Sequence, residues 1–317
     1  MRHIDSLGSK FSISIPPDED GLIGRECASP ECESYFKIQP GTGLKGENLP
    51  CHCPYCGHTA GQDKFFTKAQ VEYAKSIVLN RVTGALLKDL KSLEFNHRPR
   101  GSFGIGISMK VTGRPTPIRH YHENQLETEV VCKQCTLRYM IYGVFGFCPD
   151  CGEHNSHQIL EKNLELVLKM VDMASSADGD LLKRVVENAL EDCVSAFDGF
   201  GREICRLHAK KSGEPAKAEK VSFQNLDSAK QKVNGLFNLN LSAGLTDEEW
   251  KTGVKGFQKR HLLSHTMGVI DDEYVRKSGD IEAVPGRKIM IDADEVRELV
   301  QIIRKLARHL SDTLRTK

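Results

Sequence analysis

Two groups of residues in this 317-residue chain have the types and spacing to do chemistry. The first is a set of thiols. Cys53-Pro54-Tyr55-Cys56-Gly57 and Cys148-Pro149-Asp150-Cys151-Gly152 are the same device. The tight turn inside each Cys-x-x-Cys aims both sulfurs at one ion, and the glycine after it permits the positive φ such a turn needs. Cys132-x-x-Cys135 supplies the other half of a four-thiolate site with Cys148 and Cys151. Cys53 and Cys56 need two partners from Cys27, Cys32 and Cys51, with His52 and His58 standing outside. Cys27 and Cys32 make the simplest distant half-site, because Cys51 needs a strained turn to reach the same ion. Four soft thiolates in tetrahedral array favour Zn²⁺ and leave no open position, so such a site is structural. Two zinc ions per chain are expected, on Cys27/Cys32/Cys53/Cys56 and Cys132/Cys135/Cys148/Cys151.

The second group is Arg260-His261-Leu262-Leu263-Ser264-His265. Acid–base chemistry on a phosphate needs a group that transfers a proton and a cation for the oxygen charge. Histidine, with an ordinary pKa of about 6.5, suits the first role at neutral pH. Arginine is always charged and presents a planar fork to phosphate oxygens. The bland alternative is a pair of satisfied interfacial histidines with a salt-bridged arginine.

These residues must be positioned by helices. Thr246-x-x-Glu249 has the pattern of a capping box, and Trp250, Val254 and Phe257 follow at helical spacing. At about 100° per residue, His261 and His265 continue that apolar stripe while Arg260 lies on its flank. From His157 onward the periodicity is almost wholly helical, with Leu160–Val171, Leu182–Leu207, a weaker 223–241 stretch, the stripe above, and Val296–Leu314 capped by Asp292. Residues 210–220 and 271–291 read as connections. A bundle of roughly four or five helices results, with the Arg/His segment on its penultimate helix.

The N-terminal half is mixed. Phe11, Ile13 and Ile15 alternate like a strand, and Thr67-x-x-Gln70 caps a long helix burying Val71, Ala74, Ile77, Val78, Val82, Ala85 and Leu86. After a turn at 96–101, residues 105–111, 117–122 and 128–132 read as short strands. The fold class is therefore α+β: residues 1–156 hold the cysteine groups, a helix and a β insert, and residues 157–317 are all-α.

The cysteine knuckles resemble zinc ribbons, which serve as structural staples or as nucleic-acid or protein binders. The insert between them carries Arg98, Arg100, Lys110, Arg114 and Arg119, side chains able to track phosphates, and Tyr121 or Tyr139 can stack a base. A solvated basic loop is the alternative. Gly101-Ser-Phe-Gly-Ile-Gly lacks the strand-then-helix setting of a nucleotide loop.

Arg260-x4-His265 on a helical bundle, followed by Gly268-x-x-Asp271-x-x-Tyr274, resembles the HEPN family over about residues 157–317. The resemblance implies a metal-independent endoribonuclease leaving 2′,3′-cyclic phosphate and 5′-hydroxyl ends. It further implies a homodimer whose two motifs form one cleft, and a role such as toxin or antiviral effector. His261 stands where it can orient or share proton transfer. The alternative function is a non-catalytic RNA- or protein-binding dimer or scaffold.

Bulk properties exclude little more. With 44 basic and 43 acidic side chains, net +1, no global field announces nucleic acid or membrane. Nine of the 11 cysteines crowd into residues 27–151 in knuckle spacing, which suits metal binding in a reducing cytoplasm over a disulfide scaffold. Cys193 and Cys205 read as buried apolar thiols. With no membrane-length apolar run and no signal-peptide core, a cytoplasmic protein with no membrane partner is expected.

Overall fold

Cysteine spacing decides how the first part of the chain is built. In this computed structural model, residues 2–46, 49–97, 107–174 and 179–317 are described, and the chain divides into units Met1–His154 and Asn155–Lys317. After a single helical turn, α1 (Arg2–Asp5), the first unit forms β1 (Ile23–Glu26) and β2 (Tyr35–Ile38), whose connecting turn carries Cys27 and Cys32. A small hairpin follows, β3 (Pro50–His52) and β4 (Thr59–Gly61), with Cys53 and Cys56 at its tip. Then come α2 (Lys68–Lys91), a second small hairpin of β5 (Phe95–His97) and β6 (Ile107–Met109), and finally β7 (Thr128–Val131) and β8 (Arg138–Ile141), joined by the turn that carries Cys132 and Cys135.

The two large hairpins are one sheet. β2 pairs antiparallel with β8, Lys37 opposite Met140 and Ile38 opposite Tyr139, giving the order β1-β2-β8-β7. Their knuckles interlock by matching bonds. His52 N–H donates to Pro149 O at 2.8 Å, and Phe147 N–H donates to Pro54 O at 2.8 Å. Phe36, Phe65, Tyr139 and Ile141 are fully buried beside the sulfurs.

α2 is fixed by its N-terminus. Thr67 and Gln70 form a reciprocal capping box, and Gln70 Nε2 also donates to Gly24 O at 2.9 Å. Of its expected apolar face Ala85 is buried, Ala74, Ile77, Val78, Val82 and Leu86 are partly buried and Val71 is exposed, and the polar Gln70, Ser76 and Asp89 are buried as well. The reason is polar. Residues 117–122, expected as strand, form no ladder among the described residues, and the 116–119 stretch runs along α2, with Arg119 N–H bonded to Ser76 Oγ, Thr116 N–H to Thr83 Oγ1, and Asn80 Nδ2 to Thr116 O. Phe11, Ile13 and Ile15 form no ladder either; their alternation faces Val71, Ala74 and Val78 of α2 across an apolar groove.

The second unit is helical: α3 (Ser156–Ala174), α4 (Gly179–Leu207), α5 (Pro215–Ala218), α6 (Leu226–Phe237), α7 (Asp247–Thr266), α8 (Asp272–Ser278) and α9 (Ala293–Thr316). α5 and a 3-10 turn at Ala209–Lys211 fall where only a loop was read, and α8 falls within the expected 271–291 connection. With α8 present, α7 is third from the end. α4 and α9 carry the core, Phe197, Phe200, Leu299, Ile303 and Leu306 among it. Each such side chain contributes roughly 1.5–3 kcal/mol on burial. Gly201 is needed there, since a Cβ would lie 2.5 Å from the Phe223 ring. Among the described residues no helix is long and apolar enough to cross a membrane.

One buried charge ties α7 to α9. Lys259 is 5% exposed, and its ammonium donates to both Glu295 oxygens at 2.7 and 2.6 Å and to Met290 O at 2.9 Å. Removing one partner strands a charge, whereas an apolar isostere removes the need for the pair. Glu295→Ala is expected to cost about 1–3 kcal/mol in urea unfolding. Lys259→Met should cost less than Glu295→Ala, and the reverse order would refute this account.

Candidate functional site

The eight expected ligands fall into two clusters. Cys27, Cys32, Cys53 and Cys56 lie with their sulfurs all within 4.8 Å of one another, and so do Cys132, Cys135, Cys148 and Cys151. Sγ–Sγ distances are 3.6 Å for Cys27–Cys56, 3.8 Å for Cys32–Cys53, 3.6 Å for Cys132–Cys151 and 3.4 Å for Cys135–Cys148. A tetrahedron with metal–sulfur bonds of about 2.3 Å has edges of about 3.8 Å, so the donors fit such an ion. The two groups are positioned to bind two metal ions.

The local backbone explains why. In each knuckle the glycine takes φ +72° (Gly57) or +70° (Gly152), and its N–H donates to the first cysteine carbonyl. Ser29 N–H and Tyr55 N–H point at Cys27 and Cys53 sulfurs, each at 3.4 Å, which favours thiolate there. Burial, the leading cause, pushes Cys27 and Cys135 up to about 11 when no cation is present. A bound dication would need these thiols deprotonated, so its binding would release protons. Cys51 belongs to neither group; it is a buried β3 residue, pushed up to about 12 by burial against the opposing influence of Arg25. Cys193 and Cys205 are fully buried and pushed up to about 12, again by burial.

Arg260, His261 and His265 lie in the second half of α7. The Trp250–Val254–Phe257 stripe is packed as far as Phe257 and then emerges, so that His261 and His265 are exposed with ring centroids 4.3 Å apart. Beyond Phe257 the packing passes to Leu262, which meets Ile270, Tyr274 and Ile289. Arg260 is half-buried and makes no hydrogen bond or ion pair among the described residues. α8 adds residues that sequence reasoning missed. Glu273 and Lys277, paired at 2.5 Å, lie within electrostatic reach of His261. The His261 pKa is lowered by its partial burial first, then by the positive charge of His265, Lys277 and Arg260, against Glu273.

The segment after α7 has a plain structural logic. Met267 and Gly268 take left-handed φ of +55° and +83°, and Gly268 N–H caps Leu262 O at 2.9 Å. Asp271 caps α8 by accepting from Tyr274 N–H at 2.7 Å, and the buried Tyr274 hydroxyl donates to Asp280 at 2.9 Å. No protein-family model, curated protein or solved structure matches this chain.

On α4, Asp198 accepts from Phe223 N–H and pairs with Arg202, and Glu203 pairs with Arg206. The α4 carboxylate that reaches α7 is Glu191, which accepts from Ser264 Oγ at 3.2 Å. In the N-terminal insert, Lys110 and Arg114 are exposed, Arg119 is paired with Glu72 at 3.0 Å, and Arg98 and Arg100 lie outside the described residues. Tyr139 is fully buried and cannot stack a base, which corrects the expectation for it; Tyr121 packs edge-on against Tyr73 at 5.3 Å. Metal analysis of purified protein is expected to give two ions per chain. Cys51→Ser should leave that number unchanged, while Cys53→Ser or Cys148→Ser should each remove one.

Proposed function

We propose that this protein is a metal-independent endoribonuclease of HEPN type, active as a dimer, whose first unit binds two structural Zn²⁺ ions and recognises RNA. The observation that carries the catalytic reading is the exposed His261–His265 pair with Arg260 beside it on α7. Two adjacent imidazoles offer both proton transfers of transesterification. His261, biased to its neutral form, takes the 2′-OH proton as the 2′-oxygen bonds to phosphorus. His265 gives a proton to the departing 5′-oxygen, and Arg260 offsets the charge on the phosphate oxygens. The products are a 2′,3′-cyclic phosphate and a 5′-hydroxyl, and no step needs a metal ion.

Zinc is chosen for the two four-cysteine clusters because all-thiolate tetrahedral donors suit it and leave no open coordination position. Exposed Met267, Ile281 and Met290 (83%, 98% and 82%) beside or after α7 favour a second protomer or another protein on this surface. The non-catalytic binding dimer shares that support and differs only in the role of the histidines.

Cleavage of single-stranded RNA should persist in EDTA, and Arg260→Ala or His265→Ala should lower kcat at least ~100-fold, within the range expected for one acid–base group. Unchanged cleavage in both variants, or a requirement for added divalent metal, refutes the mechanism. With the His261 pKa lowered, the base stays neutral to lower pH, so the acid limb of the kcat/KM profile should fall below about pH 6.5. In His261→Gln that limb should vanish together with most of the rate.

A further inference from the structure

The first unit holds a cavity of about 400 Å³ that none of the chemistry above uses. Four segments meet around it: the Pro16–Asp20 stretch, β2 through Lys37, α2 through Tyr73, and the insert from His120 to Gln125. Its size is that of a small-ligand site.

Its polar groups are arranged for a particular kind of edge. Lys37 is 2% exposed, buried mid-sheet, and among the described residues its ammonium meets one acceptor, Asp18 Oδ2 at 2.7 Å. Asp18 Oδ1 is occupied by Leu22 N–H at 2.8 Å and Asp20 N–H at 3.1 Å, while Oδ2 receives Lys37 alone. A lysine ammonium has three donors and a carboxylate oxygen two lone pairs, so each member of this pair has capacity left over. Glu19 and Asp20 are exposed at the same mouth. Glu123, by contrast, is spent on Gly24 N–H, Gln70 and the Tyr35 hydroxyl, and only shapes the wall. Tyr73 and Tyr121 supply an aromatic wall, their rings 5.3 Å apart and edge-on.

One buried cation and several carboxylates beside an aromatic surface match a flat ligand offering one strong acceptor and adjacent N–H donors. Among the nucleobases, guanine presents a carbonyl next to two N–H groups on its pairing edge, whereas each of the others presents a single donor group. Unpaired bases are held by aromatic stacking and by hydrogen bonds to that edge. We propose that this cavity binds one unpaired guanine of an RNA strand, with Lys37 on its carbonyl oxygen, the Asp18 and Glu19/Asp20 carboxylates on its N–H groups, and Tyr121 against its face. The proposal rests on the reading of RNA as substrate and gives the first unit a base preference.

The test is calorimetric titration of the full-length, metal-loaded protein with the 5′-monophosphates of guanosine, adenosine, cytidine and uridine, and with spermidine. Guanosine monophosphate should bind at least tenfold more tightly than the other three nucleotides. Lys37→Met and Tyr121→Ala should each weaken it at least tenfold. Should Lys37→Met fail to fold, Tyr121→Ala and the surface pair Glu19→Gln/Asp20→Asn carry the test, with retention of two metal ions as the check on folding. No guanosine binding, equal binding of all four nucleotides, or binding of spermidine alone overturns the proposal. Arg260→Ala should leave guanosine binding intact while abolishing cleavage, so failure of the base site and failure of the nuclease reading are told apart.

Discussion

The first unit depends on eight sulfurs gathered into two groups that are positioned to bind two metal ions. Eight thiols sit in two groups with sulfurs 3.4–3.8 Å apart across each half-site pair, and burial holds Cys27 and Cys135 in their protonated form when no dication compensates them. A metal in each group would be a strong constraint in the region, because it would join segments far apart in sequence and its binding free energy would be folding free energy. The β1-β2 and β7-β8 hairpins then meet as β2-β8, and the His52–Pro149 and Phe147–Pro54 bonds lock the second knuckles to each other. Strands of four residues would be marginal alone. They persist here because each hairpin ends in a metal half-site and each is continued by the other ribbon along one edge.

Everything else in that unit is attached to this pair. Glu123 reaches β1, β2 and α2 at once, and Gln70 bonds the start of α2 to Gly24. α2 therefore buries a polar seam against residues 116–119 and leaves part of its apolar side to the Phe11–Ile15 segment. Lys37 lies on the face of β2 opposite Phe36 and Ile38, yet it is buried, with Asp18 as its counter-charge at the cavity.

What the sequence shows and what it hides divide along the range of the interaction. Cysteine ligands, the Thr67 and Thr246 capping boxes and the Asp292 cap were legible because each is decided within a few residues. That the two ribbons share one sheet was not, since β2-β8 pairing links residues about a hundred positions apart with no turn signal between them. Short α8 was missed because residues 271–278 carry almost no helical periodicity; its cap Asp271 and the anchor Tyr274 were visible, but as motif residues. The Phe11–Ile15 alternation was real yet misassigned, because period two marks an extended chain with one buried side and not the partner that covers it. Arg260, His261 and His265 were legible as types on one helix; the contribution of Glu273 and Lys277 needed α8.

The case for chemistry on α7 turns on what packing alone would have chosen. Up to Phe257 the stripe follows the rule that a bundle helix buries its apolar face, and at His261 it stops although the helix runs on to Thr266. A purely structural helix end gains from polar, helix-favouring residues and from separated like charges. Here two imidazoles stand 4.3 Å apart, and the His261 pKa is lowered first by its partial burial and then by the neighbouring His265, Lys277 and Arg260. Neither ring gains a hydrogen bond in exchange among the described residues. Local rules broken without local compensation mark functional sites more often than accidents. The rest of the segment obeys them closely: Gly268 caps, Asp271 caps, and Tyr274 fills the core. Among the described residues the departure falls on Arg260, His261 and His265, the three side chains on which the proposed proton transfer and charge stabilisation rest.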